Sequence, residues 1–271
     1  MMDQFTNTGT ANPACKNLFK AGAVAALIAA LVFRRNLDAE IILLRATGII
    51  QVGPTAPPST IVGWFRLLRV HKLLGLTFLN VFDLLNYVLV GVIFLALYAA
   101  LRRASPSFMA LATTLGLAGS LTYFVSNRAF AMLSLSDQYA AATTGVQRAT
   151  LLNAGQVTLA IHHNASHQGI YVSFLFVSVA GLIISAVMLR SGIFSKTTAY
   201  AGLLANGLGL GYYPAFAFAP ALVFLPLSLS ALFLLAWYIG IGRRLWRLAS
   251  VHIASPAYSG ASGLEKVTPI L

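Results

Sequence analysis

The chain has 271 residues, of which 58% are hydrophobic and only 9% are charged, against about 25% charged in a typical soluble protein. The apolar runs extend from one end to the other and leave no polar block long enough for a soluble core, so the composition predicts a single membrane domain, residues 17–247. The net charge of +12 lies mostly at the ends of apolar runs, which argues against nucleic-acid binding, and the single cysteine, Cys15, excludes an intramolecular disulfide and a cysteine metal cage.

The first apolar run follows a polar tail, residues 1–16, that we expect to be disordered and cytoplasmic. Lys20 lies near the start of the run, and Arg34-Arg35 follow its end. A secretory signal peptide would have small residues at that end for cleavage. The arrangement therefore favours a retained first span near 17–33, with a cleaved signal peptide as the alternative.

The next region, residues 34–72, mixes short apolar pieces with prolines, and its topology stays open. Within it, residues 63–74 have Arg66, Arg69 and Lys72 at steps of three among apolar neighbours. Basic residues at such spacing beside aromatic and aliphatic ones are typical of a helix that lies flat on a membrane. We expect one or two interfacial helices of this kind.

The second predicted span, residues 73–101, carries one charge, Asp83. Its length suffices to cross a hydrocarbon layer of about 30 Å. Asn80, Asn86 and Tyr87 share a helix face with Asp83, because positions three or four apart lie on one side of a helix. A carboxylate inside the bilayer costs about 2.5–3.5 kcal/mol, so this face must meet protein or water.

The third predicted span, residues 107–133, contains Asn127 and Arg128. Arg128 and Asp83 lie at similar distances, roughly 27–31 Å, from the shared loop that joins their two spans. The depths predict a buried ion pair between Asp83 and Arg128, with Asn80 and Asn127 adding hydrogen bonds. The full predicted polar seam comprises Asn80, Asp83, Asn86, Tyr87, Asn127 and Arg128.

The loop 134–167 is more polar and holds the candidate metal ligands. Thr144 and Gln147 have the spacing of a capping box, which predicts an amphipathic helix after them. His163 and His167 are four apart and would share a helix face, as zinc ligands do, but surface histidines without a metal are the preferred interpretation. We therefore expect no cofactor.

Three further spans are predicted near 168–190, 197–218 and 220–242, followed by a flexible cytoplasmic tail, residues 248–271. The fifth contains Gly207 and Gly211, a GxxxG spacing that permits close helix contact. Short connections at 102–106, 190–196 and 243–247 hold seven cations, whereas the loop 134–167 holds only Arg148. By the positive-inside rule, both termini are predicted to be cytoplasmic in a cell membrane.

Several stretches resemble an uncharacterised prokaryotic family of multi-pass membrane proteins, domain of unknown function 4386. They are LVFRRNLDAEI at 31–41, GLTFLNVFDLLNYVLVGVIFLALYAALRR at 75–103, FAMLSLSDQYAAATT at 130–144 and GIYVSFLFVSVAGLIISAVMLRSGIFSKTTAYAG at 169–202. The resemblance implies a helical membrane domain and adds no catalytic residue, cofactor or substrate. The segment HHNASH departs from the family pattern, which weakens the zinc hypothesis further.

The sequence thus predicts an all-α polytopic bundle of about six spanning helices. Its expected partner is the lipid bilayer, with a protein partner or homo-oligomer left open. Three functions stay open. They are a structural or regulatory membrane protein stabilised by a buried Asp83–Arg128 seam, a small-solute or ion transporter that uses that seam, and an intramembrane metal-dependent hydrolase. The first is preferred, and it is not an enzyme.

Overall fold

The computed structural model describes residues 15–32, 56–163, 170–222 and 224–250, and every regular element in these ranges is helical. The all-α prediction is confirmed for this part of the chain. The predicted tails and the stretch after the first helix lie largely outside it. The helices are α1 (Lys16–Val32), α2 (Ile61–Val70), α3 (Lys72–Phe78), α4 (Val81–Leu101), α5 (Pro106–Ser126), α6 (Ala129–Ala141), α7 (Gly145–His163), α8 (Ile170–Ser191), α9 (Lys196–Leu210), α10 (Tyr212–Phe218) and α11 (Phe224–Ser250).

Six of the helices form a closed ring in which each packs against the next: α1, α4, α5, α8, α9 and α11, with α11 returning to α1. Neighbouring helices run in opposite directions. For example, Gly22 near the start of α1 faces Ala96 near the end of α4. The main hydrophobic core lies between these helices and includes Phe94, Leu97 and Trp237.

A smaller group of helices, α2, α3, α6 and α7, forms a cap with its own core at one end of the ring. Trp64 packs edge-on against Phe78, with ring centroids 6.3 Å apart. Ser136 on α6 donates a hydrogen bond of 2.9 Å to the backbone carbonyl of Phe65 on α2. We call this side of the ring the capped end.

The opposite side, which we call the cationic end, contains the start of α1 and the end of α11. The α4–α5 and α8–α9 turns lie there as well, because the ring helices alternate in direction. It carries the cations Lys16, Lys20, Arg102, Arg103, Arg190, Lys196, Arg243, Arg244 and Arg247.

Four apolar helical stretches in the described residues are long enough to cross a membrane: Val81–Leu101, Pro106–Ala141, Tyr171–Ser191 and Pro220–Ser250. The predicted number of about six is therefore not confirmed. The two other ring helices are shorter, with 17 residues in α1 and 15 in α9. A straight span needs about 20 residues, although α10 extends α9 after Gly211.

Two predicted spans are interrupted in the structure. The predicted helix 73–101 is divided at Asn80, which has a left-handed backbone with φ 58°, into α3 and α4. The predicted helix 107–133 ends at Ser126, because Asn127 is extended, and the chain continues as α6. Both interruptions lie where the ring meets the cap.

The segment predicted as an interfacial helix, residues 63–74, is helical in α2 and the start of α3, with Arg66 and Arg69 exposed, and its location at a membrane surface stays a prediction. The apolar face of α2 is buried inside the cap, where Trp64, Phe65 and Leu68 form part of the core.

The predicted capping box is confirmed at the start of α7. There, Thr144 Oγ1 accepts from the amide of Gln147 at 3.2 Å, and Gln147 Oε1 accepts from the amide of Thr144 at 3.3 Å.

The predicted GxxxG contact is wrong for Gly207, which is exposed and has open space around it. The close approach is instead made at Gly202 on the same helix. A Cβ at Gly202 would meet Ser185 of α8 and Trp237 of α11. Gly202 lies between these two helices, whereas Gly207 is on the outer side of α9.

Candidate functional site

The most distinctive polar group of the ring is Asp83, in the first turn of α4 at the capped end. The left-handed Asn80 ends the preceding turn, and the amide of Asp83 donates to the carbonyl of Asn80 at 3.2 Å. A carboxylate at this position interacts favourably with the positive end of the helix dipole. Asp83 is half-buried.

Tyr123 of the neighbouring helix α5 holds this carboxylate. Its hydroxyl donates a hydrogen bond of 2.9 Å to Asp83 Oδ2, and its ring is buried. Tyr87, one turn after Asp83, stacks on Tyr123 with ring centroids 4.1 Å apart and planes within 14°. The carboxylate thus has an aromatic pair beside it and a fixed hydroxyl donor.

A second contact joins the two helix interruptions. The Asn127 side-chain amide donates to the backbone carbonyl of Asn80 at 3.3 Å, and its carbonyl oxygen accepts from the amide of Ala129 at 2.9 Å. One side chain therefore connects the start of α4 to the start of α6. Asn80 contributes its backbone to this contact.

The predicted buried Asp83–Arg128 seam is wrong. No charged residue in the described part of the chain is buried, and Asp83 and Arg128 are both half-buried. The physical reason is the end of α5 at Ser126, which places Arg128 at the N-cap position of α6, outside the interior of a spanning helix. Arg128 Nε is nevertheless enclosed and has no hydrogen-bond partner among the described residues.

Asn86, the remaining predicted seam residue, is buried on α4, and its Oδ1 has no partner within the described residues. Other ring helices contain similar atoms. Thr113 Oγ1 on α5, Ser185 Oγ on α8 and Trp237 Nε1 on α11 are also enclosed and without a hydrogen bond in the described ranges. Polar atoms therefore lie inside the ring at several depths between its two ends.

A cluster of aromatic residues, which the sequence analysis missed, lies at the same end of the ring as Asp83. Tyr171 of α8 stacks on Tyr212 of α10, with centroids 4.8 Å apart, and Tyr212 stacks on Phe216 at 5.7 Å. The Tyr213 hydroxyl donates to the backbone carbonyl of Tyr171. Their position in the sequence could have predicted this cluster. The tyrosines lie at the start of α8 and after the end of α9, and these two ends meet because neighbouring ring helices run in opposite directions.

The metal candidates stay a prediction. No group of three or more histidine, cysteine, aspartate or glutamate side chains in the described residues is arranged to hold a metal ion. The side chain of His163 and the whole of His167 lie outside those residues. Neither the zinc site nor the metal-dependent hydrolase is tested by this geometry.

Four apolar helical stretches of spanning length in the described residues, with a polar site at one end of the ring, are compatible with an integral membrane protein. No family model, curated protein or solved structure matches the chain. The resemblance to domain of unknown function 4386 therefore stays a prediction.

Proposed function

We propose that the chain is a multi-pass membrane protein of six spans, in which α1 and the α9–α10 pair cross together with the four longer stretches. The support is the ring itself. Helices α1 and α9 occupy the same kind of position as the others, each between two antiparallel neighbours. In a bilayer, a ring helix that stopped halfway would leave its partners' polar atoms facing lipid.

The same proposal places the cationic end, and with it the start of α1 and the end of α11, in the cytoplasm. Short loops that are rich in lysine and arginine are usually retained on the cytoplasmic side of a membrane. The cationic end carries nine lysines and arginines, whereas the cap and its junctions with the ring carry five in the described residues: Arg66, Arg69, Lys72, Arg128 and Arg148. The capped end then faces outward.

We infer that the protein binds a small cationic solute at Asp83 and transports it through the ring. The observation that supports this most is the carboxylate itself, which is half-buried at the outer end beside the stacked pair of Tyr87 and Tyr123. A carboxylate next to tyrosine rings attracts ammonium groups through charge and through the ring quadrupole.

The enclosed polar atoms support transport over a purely structural role. Asn86 lies near the capped end of its helix, while Thr113 and Ser185 lie nearer the cationic end. A buried polar group without a hydrogen bond costs about 1–3 kcal/mol, so a bundle selected only for stability would have paired them. Water or a passing solute would supply the missing partners.

The test is solute uptake by proteoliposomes that contain the purified full-length protein. The probes are choline, ethanolamine, tetramethylammonium and sodium ions, each radiolabelled and supplied from the outer face. We expect uptake of at least one probe by the wild type and its loss in Asp83→Asn, because the substitution keeps the shape and removes the charge. The matched control is Asp137→Asn, an exposed carboxylate in the cap.

Equal uptake by wild type, Asp83→Asn and protein-free vesicles would contradict transport of these cations. A loss of uptake in the Asp137→Asn control as well would assign the effect to surface charge. Retained folding of Asp83→Asn, checked by gel filtration in detergent, is required in either case.

A structural or regulatory role is the second candidate, and close glycine contacts favour it. A Cβ at Gly22 would meet Ala96, and one at Gly181 would meet the side chain of Asn206. Such small-residue contacts allow backbones to pack closely and are typical of stable membrane bundles. This role predicts no uptake in any variant and a loss of stability when those glycines are enlarged.

A further inference from the structure

We propose that a pocket at the cationic end, between the α8–α9 turn and the last turns of α11, binds a phosphate group. This site lies at the opposite end of the ring from Asp83 and does not depend on the transport proposal. The pocket has a volume of about 440 Å³. Its polar and close-packing lining residues are Ser195, Thr198, Gly240, Arg243, Arg244 and Arg247.

The charge of the lining is entirely positive. Arg247 lies four residues after Arg243 and three after Arg244 on α11, so the three arginines fall within about 100° of the helix surface and share one side. No acidic side chain is among the described residues that line the pocket. Three guanidinium groups around one cavity repel each other, and an anion with several acceptor oxygens relieves that repulsion.

Arg244 is the most buried of the three arginines. Its side chain is half-buried, and its Nε is enclosed without a hydrogen-bond partner among the described residues. Arg243 and Arg247 are exposed and can adjust, whereas Arg244 is held against the bundle. Because it is held in this way, the Arg244 guanidinium loses fewer conformations when it binds an anion.

The N-terminus of α9 forms the other wall. Ser195 is the N-cap residue, and its hydroxyl accepts from the amide of Thr198 at 3.2 Å and lies 2.8 Å from the Thr198 hydroxyl. Amides in the first turn of a helix are available to an anion, and the helix dipole favours negative charge there. Gly240 permits this wall to approach α11, because a Cβ at that position would meet the Thr198 side chain.

The shared chemistry is a phosphate group with at least one unesterified charge, which a lipid headgroup or a free phosphate can provide. The experiment is a binding titration on the purified full-length protein in neutral detergent. The rise in the thermal unfolding temperature measures binding. One arm compares sodium phosphate with sodium chloride at equal ionic strength. The other compares short-chain phosphatidic acid with the diacylglycerol of the same chain length, which lacks the phosphate.

We expect the phosphate-bearing probe to stabilise the wild type more than its control in at least one arm. Stabilisation by phosphatidic acid alone identifies a lipid headgroup site, and stabilisation by both probes identifies a site for the phosphate group itself. The double variant Arg243→Gln with Arg247→Gln should weaken binding at least tenfold, because the loss of a single charge-assisted hydrogen bond already has about that effect. Both side chains are exposed, so the variant should fold.

The matched control is Arg102→Gln with Arg190→Gln, which removes the same charge from the cationic end outside the pocket. It should leave binding unchanged. The proposal is overturned if neither phosphate probe exceeds its control. It is overturned equally if the two double variants lose the same affinity, because binding would then follow the general charge of this end.

Discussion

The carboxylate of Asp83 is positioned by three different interactions, each with its own physical origin. The left-handed Asn80 starts α4 so that Asp83 falls in the first turn, Tyr123 donates a hydrogen bond from the next helix, and Tyr87 stacks on that tyrosine. None of these uses a second charge. The site therefore holds an ionisable group at the end of the helical ring, where it is half-buried.

We expect Tyr123→Phe to lower the free energy of unfolding by about 1.5 kcal/mol. The change removes the 2.9 Å hydrogen bond to a charged acceptor and keeps the ring stacked on Tyr87. Denaturant-induced unfolding in detergent micelles measures the loss. Tyr200→Phe, at an exposed tyrosine of α9, is the control and should change nothing. An unchanged stability in Tyr123→Phe would show that the hydrogen bond contributes nothing net.

A second prediction concerns the backbone at Asn80. Its φ of 58° is left-handed, a region that glycine adopts freely and that costs an alanine about 1 kcal/mol or more. Asn80→Ala should therefore destabilise the protein by about that amount, while Asn80→Gly should be near neutral. Because Asn127 bonds the backbone carbonyl of residue 80, both variants keep that contact. The same unfolding assay distinguishes them, and equal losses would contradict the backbone explanation.

The sequence identified the correct pair of helices for this site but the wrong partner. Asp83 and the end of α5 lie at similar distances from the loop that joins α4 and α5, so the sequence placed them opposite each other. The structure has Tyr123 and Asn127 at that position. Charge complementarity then favoured Arg128. That choice failed because the local ending of α5 depends on how the cap packs, and no periodicity in the sequence reports the cap. Tyr123, one turn before Asn127, was the available alternative.

At the scale of helices, side-chain volume at the crossing points determines how closely α8, α9 and α11 approach. Within α9, Asn206 donates to the carbonyl of Gly202 at 2.7 Å, and Ser230 of α11 donates across the interface to the carbonyl of Ala205 at 2.7 Å. Small residues and hydroxyls thus fill this interface. Hydrophobic attraction between helices is weak in a bilayer, so close packing and hydrogen bonds must hold them together.

We expect Gly202→Ala to destabilise the bundle by about 1–3 kcal/mol, since the added Cβ would meet Ser185 and Trp237 and force both to shift. Gly207→Ala on the same helix is the matched control. It has open space around it and should be neutral or stabilise by about 0.5–1 kcal/mol, because alanine favours a helix. Thermal unfolding in detergent measures both. Equal effects would mean that α9 does not pack as described.

Apolar runs predicted most helix positions, because their length and composition are local properties of the sequence. The ends of the helices were harder to predict. The interruptions at Asn80 and at Asn127 lie inside continuous apolar runs, and the cap that stabilises them brings residues 61–79 to residues 129–161. Contacts between such distant segments produce no periodic pattern in the sequence, so the cap could not be predicted from either segment alone.

At the scale of the whole molecule, the proposed orientation can be tested with single cysteines in a Cys15→Ser background. We expect Thr143→Cys, exposed at the capped end, to react with a membrane-impermeant maleimide on intact cells. Ala104→Cys, exposed in the α4–α5 turn, should react only after the cells are lysed. The reverse labelling pattern would invert the proposed topology. Labelling of both cysteines in intact cells would contradict the proposal that the two positions lie on opposite sides of the membrane.

The contact of α11 with α1 has a consequence for biosynthesis. A ring closed between its first and last helices cannot be completed while the chain is still being made, because in the proposed six-span topology α1 would enter the bilayer before α11 leaves the ribosome. During that interval, the flank of α1 that will meet Gly242 is covered by lipid or by the insertion machinery. Under the six-span proposal, assembly therefore ends when α11 takes the place of that temporary neighbour.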